Sequence, residues 1–306
     1  MTVIAMGVHV LDVLVRPVEQ IPEGQGGQLV EQIKVTPAGS AGGAAVVLAK
    51  LGAAVRSAGA IGRDAAGDML LALLERDGVD TSLLVRRDDV QTSASVLPIR
   101  PNGDRPAFHV VGANGSYGPD DAPWEAIAEA DQLHLGGPEF MGGEAAARIL
   151  TAAREAGALT SADVLAPGDP GLLDWIGAAL PRLDYLLPNE EQVLGFTGED
   201  DLAAGCRALV QRGVGCVAAT RGAEGVLIVD ADSVEAVPAF EVDVVDTTGC
   251  GDAFSAGFLR GLELGRERRE AALLGCAAAA LVAQGLGSDH GDFDLQAADS
   301  LAAATR

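Results

Sequence analysis

Aromatic residues, lysine and cysteine are all scarce in this 306-residue chain. Aromatics make up 4%, so any core must be built mainly from Ala, Val and Leu, and few rings are available to stack a nucleobase. Lys34 and Lys50 are the only lysines, and the other 19 basic residues are Arg. That bias fits a GC-rich genome or a salt-adapted proteome. The four cysteines, Cys206, Cys216, Cys250 and Cys276, show no CxxC spacing and no neighbouring His, which argues against a zinc motif and a disulfide framework. Positive charge is also short: 21 basic against 44 acidic residues leave a net charge of −23. Such a chain cannot neutralise a phosphate backbone, so nonspecific nucleic-acid binding is excluded. No run of 18 uncharged apolar residues occurs, so no membrane span is expected. The opening MTVIAMGVHV lacks a basic stretch leading into a long apolar one. A reduced, soluble, cytoplasmic protein is therefore expected. Gly7-Val8-His9-Val10 is not a GxGxxG, and GxxxxGK[ST] is absent, which disfavours a dinucleotide-dependent dehydrogenase and a P-loop enzyme.

What is present is ample core material. Hydrophobic residues reach 48%. Val3–Val8 reads as a buried strand, Ser40–Leu51 as a buried helix stopped by Gly52, Val55–Ile61 as a strand and Ala65–Asp77 as a helix. From residue 130 onward strands and helices alternate: Gln132–Leu135, Gly143–Ala156, Ala158–Asp163, Gly171–Leu180, Tyr185–Leu187, Glu190–Phe196, Asp201–Arg212 and Gly215–Thr220. A hairpin follows (Gly225–Val229, Ser233–Val237), then helices at Gly251–Leu264 and Arg268–Ala283. This rhythm implies an α/β fold with a parallel sheet covered on both faces. The segments 10–37 and 88–112 break the rhythm with alternating, turn-rich sequence. They are predicted to pair into one small sheet placed as a lid.

The most informative string is Asp246-Thr247-Thr248-Gly249-Cys250-Gly251-Asp252. It precedes a helix marked by Phe254, Phe258 and Leu262 at fourfold spacing. At a helix start the backbone N–H groups lack partners and the macrodipole is positive. Two glycines let a ligand approach the backbone. Together these make an anion site. Asp252, in the first turn, is expected to stay ionised through the dipole and could accept a proton from an attacking hydroxyl.

DTTGCGD resembles the second signature of the PfkB (ribokinase-like) carbohydrate kinases. Further motifs fall in order. Pro37-Ala38-Gly39-Ser40-Ala41-Gly42-Gly43 is similar to the first signature. Gly112-Ala113-Asn114, Pro188-Asn189-Glu190-Glu191-Gln192 and Thr220-Arg221-Gly222-Ala223-Glu224-Gly225 match later ones. The resemblance covers the whole chain and implies one domain over 1–306, a three-layer α/β/α core with a mostly parallel central sheet and a small β-sheet lid. It implies Asp252 as the general base and the Gly249, Cys250 and Gly251 amides as the cradle of the transferring phosphoryl group. Asp12, Gly39, Gly43 and Asn114 would line the acceptor side. Asn189, Thr220, Gly222, Gly225 and Cys276 would line the ATP side. Mg2+ would arrive on the nucleotide phosphates. Asp246, Thr248 and Ser288, with carbonyls near 285–288, resemble the K+ loop of some family members. A homodimer through the lid is also implied.

Three positions depart from the family pattern. Gly43 stands where ribokinases carry a sugar-binding Asn, and Gly136 where some relatives carry a Glu. Both losses are expected to remove polar contacts and leave space for a different or larger substrate. Gln192 replaces a Glu, still able to bond a water but with weaker coupling to magnesium. The expected function is phosphoryl transfer from ATP to a sugar hydroxyl. Alternatives are a nucleoside kinase of the same family, or a sugar- or nucleotide-sensing protein on the same scaffold.

Overall fold

The structure, a computed structural model, describes residues 1–304. It opens with β1 (Thr2–Gly7), whose consecutive side chains feed two different cores. Val3 and Ala5 join one apolar cluster, Ile4 and Met6 the other. That is the period-2 signature of a strand buried on both faces. The chain then leaves the main sheet for β2 (Val10–Arg16) and β3 (Gln32–Ala38), and returns through α1 (Ser40–Lys50), β4 (Ala54–Gly62), α2 (Ala65–Arg76) and β5 (Asp80–Arg87). A second excursion forms β6 (Ala94–Pro98) and β7 (Phe108–Val110). The rest alternates: α3 (Trp124–Glu129), β8 (Gln132–Gly136), α4 (Gly143–Glu155), β9 (Leu159–Asp163), α5 (Pro170–Trp175), β10 (Tyr185–Leu186), α6 (Glu190–Thr197), α7 (Leu202–Gln211), β11 (Cys216–Thr220), β12 (Val226–Val229), β13 (Val234–Val237), α8 (Cys250–Glu263), α9 (Arg268–Val282) and α10 (Leu295–Ala303).

The large sheet has nine strands in the order β13-β12-β11-β10-β9-β8-β1-β4-β5. All pairings are parallel except those of β12 with its two neighbours. Helices α1, α2, α8, α9 and α10 cover one face, and α3 to α7 the other. The expected three-layer α/β/α architecture is therefore observed. The low aromatic content is met by close backbone contact. A Cβ added to Gly257 would lie 2.7 Å from the Gly275 Cα, and one on Gly261 would lie 2.5 Å from the Ala271 Cα. Helices α8 and α9 thus pack almost backbone to backbone, with Phe254 and Phe258 stacked at 5.9 Å beside them.

Segments 10–37 and 88–112 do combine, as a separate four-stranded sheet ordered β3-β2-β6-β7. Its register sorts two faces. One row places Asp12 beside Thr36 and Ser95, with Ser95 opposite His109. The next row is Val35, Val13, Val96 and Phe108. The polar row turns inward, with Asp12 and Thr36 buried, while Val35, Val96 and Phe108 are exposed.

Three elements were not anticipated. β5 is an edge strand whose residues are nearly all half-buried and whose DTSLLVRR ends in charge. α3 has six residues and a single buried position, Ile127. α10 buries one residue fully, Ala298. The helix expected at Gly171–Leu180 ends at Trp175, and the chain turns at Gly177 before Pro181.

Candidate active site

Strand order reverses direction between β1 and β8, since the chain builds outward from β1 through β4 and β5, then restarts on the other side at β8. In open α/β sheets a crevice forms beyond the carboxyl ends of the strands at such a point. Here the two ends lie so close that a Cβ on Gly7 would sit 2.0 Å from the Gly136 carbonyl oxygen. Asp163 closes β9 beside them, and its carbonyl accepts from Gly137 N at 2.8 Å.

The tip of α8 faces this crevice. Gly249 is its N-cap, with φ of 79°, a left-handed conformation that favours glycine. A Cβ there would also be 2.3 Å from Ser288 Oγ. Cys250 N donates to Thr247 O at 3.2 Å, so that amide is held within the turn rather than offered to a ligand. Gly251 is exposed with open space above its Cα. It lies in the first turn, where N–H groups lack intrahelical acceptors.

Asp252 follows. Burial and then the charge of Asp12 push its carboxyl up to about 7, against a pull from Arg105. The expectation that the helix dipole keeps it firmly ionised is corrected: desolvation and a like charge outweigh the dipole. Asp12 is itself raised to about 6, chiefly by burial, with Ser95 and Arg105 pulling down and Asp246 pushing up. Its Oδ1 is a buried acceptor without a protein partner, suited to a ligand hydroxyl. Asp163 is also pushed well above the carboxylate range, by burial first and then by the charges of Asp252 and Glu139.

Arg105, on the β6–β7 connection, was missed by sequence reading. Its Nη1 donates to Thr248 Oγ1 at 2.8 Å and to Asp246 Oδ1 at 3.3 Å. A lone Arg in a turn-rich loop gives no signal of what it will meet. Asp163 had a weak one, as a carboxylate ending a parallel strand.

The departures from the family pattern acquire different explanations. A Cβ on Gly43 would lie 2.3 Å from Asp252 Oδ2, and one on Gly136 would lie 2.4 Å from Ala41 N. The missing side chains therefore leave no room for a larger substrate, because the Asp252 carboxylate and the α1 backbone fill the space. The Gln192 side-chain amide is taken up by protein groups. It is buried in a capping box, accepting from Asn189 N at 2.9 Å and donating to Val164 O and Ala166 O at 2.9 and 3.1 Å. Asn114 accepts from His9 N and donates to His9 O at 3.1 and 3.0 Å. Its amide anchors the exit of β1 and is not presented to the crevice. Gly39 is buried at the α1 N-terminus, where a Cβ would meet Val8 O at 2.6 Å. His134 is buried on β8 and bonded to Ser161 Oγ at 3.0 Å.

On the other side of the α8 tip lies a cavity of about 470 Å³. Thr220, Gly222, Gly225 and Cys276 line it together with Cys250 and Gly251. Asn189 stands outside this lining but is bridged to Thr220, and its side-chain oxygen caps α6 by accepting from Gln192 N at 2.8 Å. Cys276 is buried in an apolar setting that pushes its thiol up to about 12, as fits a filler.

The residues expected around K+ do not fit a free ion. Asp246 Oδ1 is held by Arg105 and Thr248, and its Oδ2 faces Gly287 N at 3.4 Å. Leu286 O accepts from Lys34 Nζ at 2.6 Å. Ser288 is buried, with its hydroxyl unpartnered.

Comparison with known proteins agrees with this architecture. Residues 6–293 match the model of the pfkB family carbohydrate kinases. An uncharacterized sugar kinase of Archaeoglobus fulgidus is 30% identical over 248 residues, 80% of this chain and 97% of that protein. An ATP-dependent ribose-1-phosphate kinase of Halopiger xanaduensis is 31% identical over 249 residues, 81% of this chain and 80% of the relative. The structure of Arabidopsis thaliana ribokinase complexed with ribose and ATP superposes with a TM-score of 0.85 over 98% of both chains, at 22% identity.

Proposed function

Because the chain belongs to the pfkB family of carbohydrate kinases, and so is a phosphotransferase acting on an alcohol, we propose that it moves the γ-phosphoryl group of ATP to a hydroxyl of a sugar or sugar-like acceptor, with Asp252 as general base. The observation carrying this reading is the position of Asp252. Its carboxyl is held near neutrality on the helix whose tip separates an acidic crevice from a 470 Å³ cavity. A base with a pKa near the working pH is best matched to taking a hydroxyl proton while retaining driving force.

In this reading the acceptor lies under the small sheet, with Asp12 Oδ1 accepting from one of its hydroxyls. The adenine side of ATP fills the cavity against Cys276, and Thr220, Gly222 and Gly225 shape the phosphate path. The acceptor O–H proton passes to Asp252 as the oxygen attacks the γ-phosphorus and ADP departs. Charge on the transferring oxygens is met by the helix dipole and by the Gly249 and Gly251 amides. Such donors typically contribute about 2.7–4 kcal/mol each. Among the described residues no three metal-ligating side chains converge, so Mg2+ would be held mainly by the nucleotide phosphates, where it neutralises their charge.

The test is ADP release across a panel of sugars, sugar phosphates and nucleosides, with Asp252→Asn in parallel. Turnover of at least one acceptor is expected, with a loss of about 10²–10⁴ in the variant. Equal rates for wild type and variant would overturn the base assignment.

A further inference from the structure

The only two lysines of the chain grip one loop. Lys50, the last residue of α1, directs its ammonium at three consecutive backbone carbonyls between α9 and α10: Asp289 O at 2.8 Å, His290 O at 3.3 Å, and Gly291 O. Three acceptors require three N–H donors, which an ammonium has and a neutral amine lacks. The same nitrogen sits 5.1 Å over the Phe293 ring, a cation–π contact. Lys34, on β3, donates to Leu286 O and pairs with Asp289 Oδ1, both at 2.6 Å. Asp289 is fixed in turn by Thr36 at 2.7 Å and Arg76 at 2.8 Å.

The far side of this loop is the back wall of the α8 tip. Ala283 O accepts from Val245 N at 2.8 Å and Asp246 N at 3.3 Å. Ser288 packs so closely on Gly249 that no Cβ would fit between them. The Gly249 turn thus rests on Ser288, one residue before the three carbonyls that the Lys50 ammonium draws together.

We propose that Lys50, assisted by Lys34, acts as a tethered cation for the 285–291 loop, and that the protein therefore works without a free monovalent ion. Both are positioning residues: they reach the reacting groups only through the loop and the turn. The kinetic part of this inference rests on the kinase reading above. The thermal part does not, because it needs no acceptor.

The experiment compares wild type with Lys50→Met and Lys50→Arg in buffers of equal ionic strength containing K+, NH4+, Li+ or tetramethylammonium. Wild type is expected to show the same Tm in all four, and the same kcat/KM for ATP within about twofold. Lys50→Met is expected to lose about tenfold or more in kcat/KM, on the order of 1.4 kcal/mol. K+ or NH4+, but not tetramethylammonium, should recover both rate and Tm, and Lys50→Arg should retain cation indifference. A merely structural lysine would lower Tm with no ion-specific recovery. That outcome overturns the proposal, as does a wild type activated several-fold by K+. Should Lys50→Met fail to fold, the wild-type ion series decides alone. Should no acceptor be phosphorylated, the Tm series still decides.

Discussion

Asp252 is the residue whose charge state the sequence and the structure describe differently. A helix-start aspartate after two glycines is legible as a candidate base from its neighbours alone. Its raised affinity for a proton is not, because the causes are tertiary: burial first, then the charge of Asp12, 240 positions away in the chain and brought close only by the small sheet. The sign of the consequence follows from linkage. The folded state holds this proton up to about pH 7, whereas the unfolded chain releases it near the ordinary value of 3.8. Between those limits the native state binds more protons, so stability falls as pH rises and stays reduced above pH 7. Asp252→Asn should therefore melt several degrees above wild type at pH 8, with the gap closing toward pH 4, even as its turnover falls in the way proposed above. Wild-type kcat/KM should climb with pH and level off above about 7. A variant that melts at or below wild type at pH 8 would refute the buried-charge argument. Gly43 teaches the complementary lesson. It reads as a missing contact in the sequence, yet its lack of a side chain is what leaves space for the Asp252 carboxylate.

Among the elements, the small sheet was the most legible and its loop the least. Alternation over residues 10–37 and 88–112 is enough to foresee a second sheet, since period 2 survives wherever two faces differ. It cannot show that the polar face turns inward. Nor can it show that the β6–β7 connection carries Arg105 onto Asp246 and Thr248, a contact between residues more than 140 apart. Edge strand β5 escaped because its half-buried residues do not alternate cleanly. Arg105 joins the small sheet to the α8 tip, and its charge draws down the proton affinity of both Asp12 and Asp252. Arg105→Ala should therefore lower kcat/KM for the acceptor by about tenfold and move the acidic limb of the pH profile upward. A limb that stays in place would mean the guanidinium has no electrostatic hold on the base.

For the molecule as a whole, two apolar clusters on either side of the nine-stranded sheet account for the fold, and the alternation of strands and helices announces them. The exposed row Val35, Val96 and Phe108, with Ile33 and Val110 on the same sheet, is different. Contiguous exposed apolar surface is uncommon on a monomer and is the kind of face that partners cover. Homodimerisation through it is the state we propose, burying roughly 800 Å² per subunit if of standard size. Light scattering should give twice the chain mass, and Phe108→Asp should return it to one. A wild-type monomer at micromolar concentration would remove the proposal. A practical consequence follows from the lysine pair. With both ammonium groups engaged by one loop, amine-reactive labels have no other side-chain target in the sequence. The rate at which they acylate Lys34 and Lys50 becomes a direct clock for how often that loop lets go.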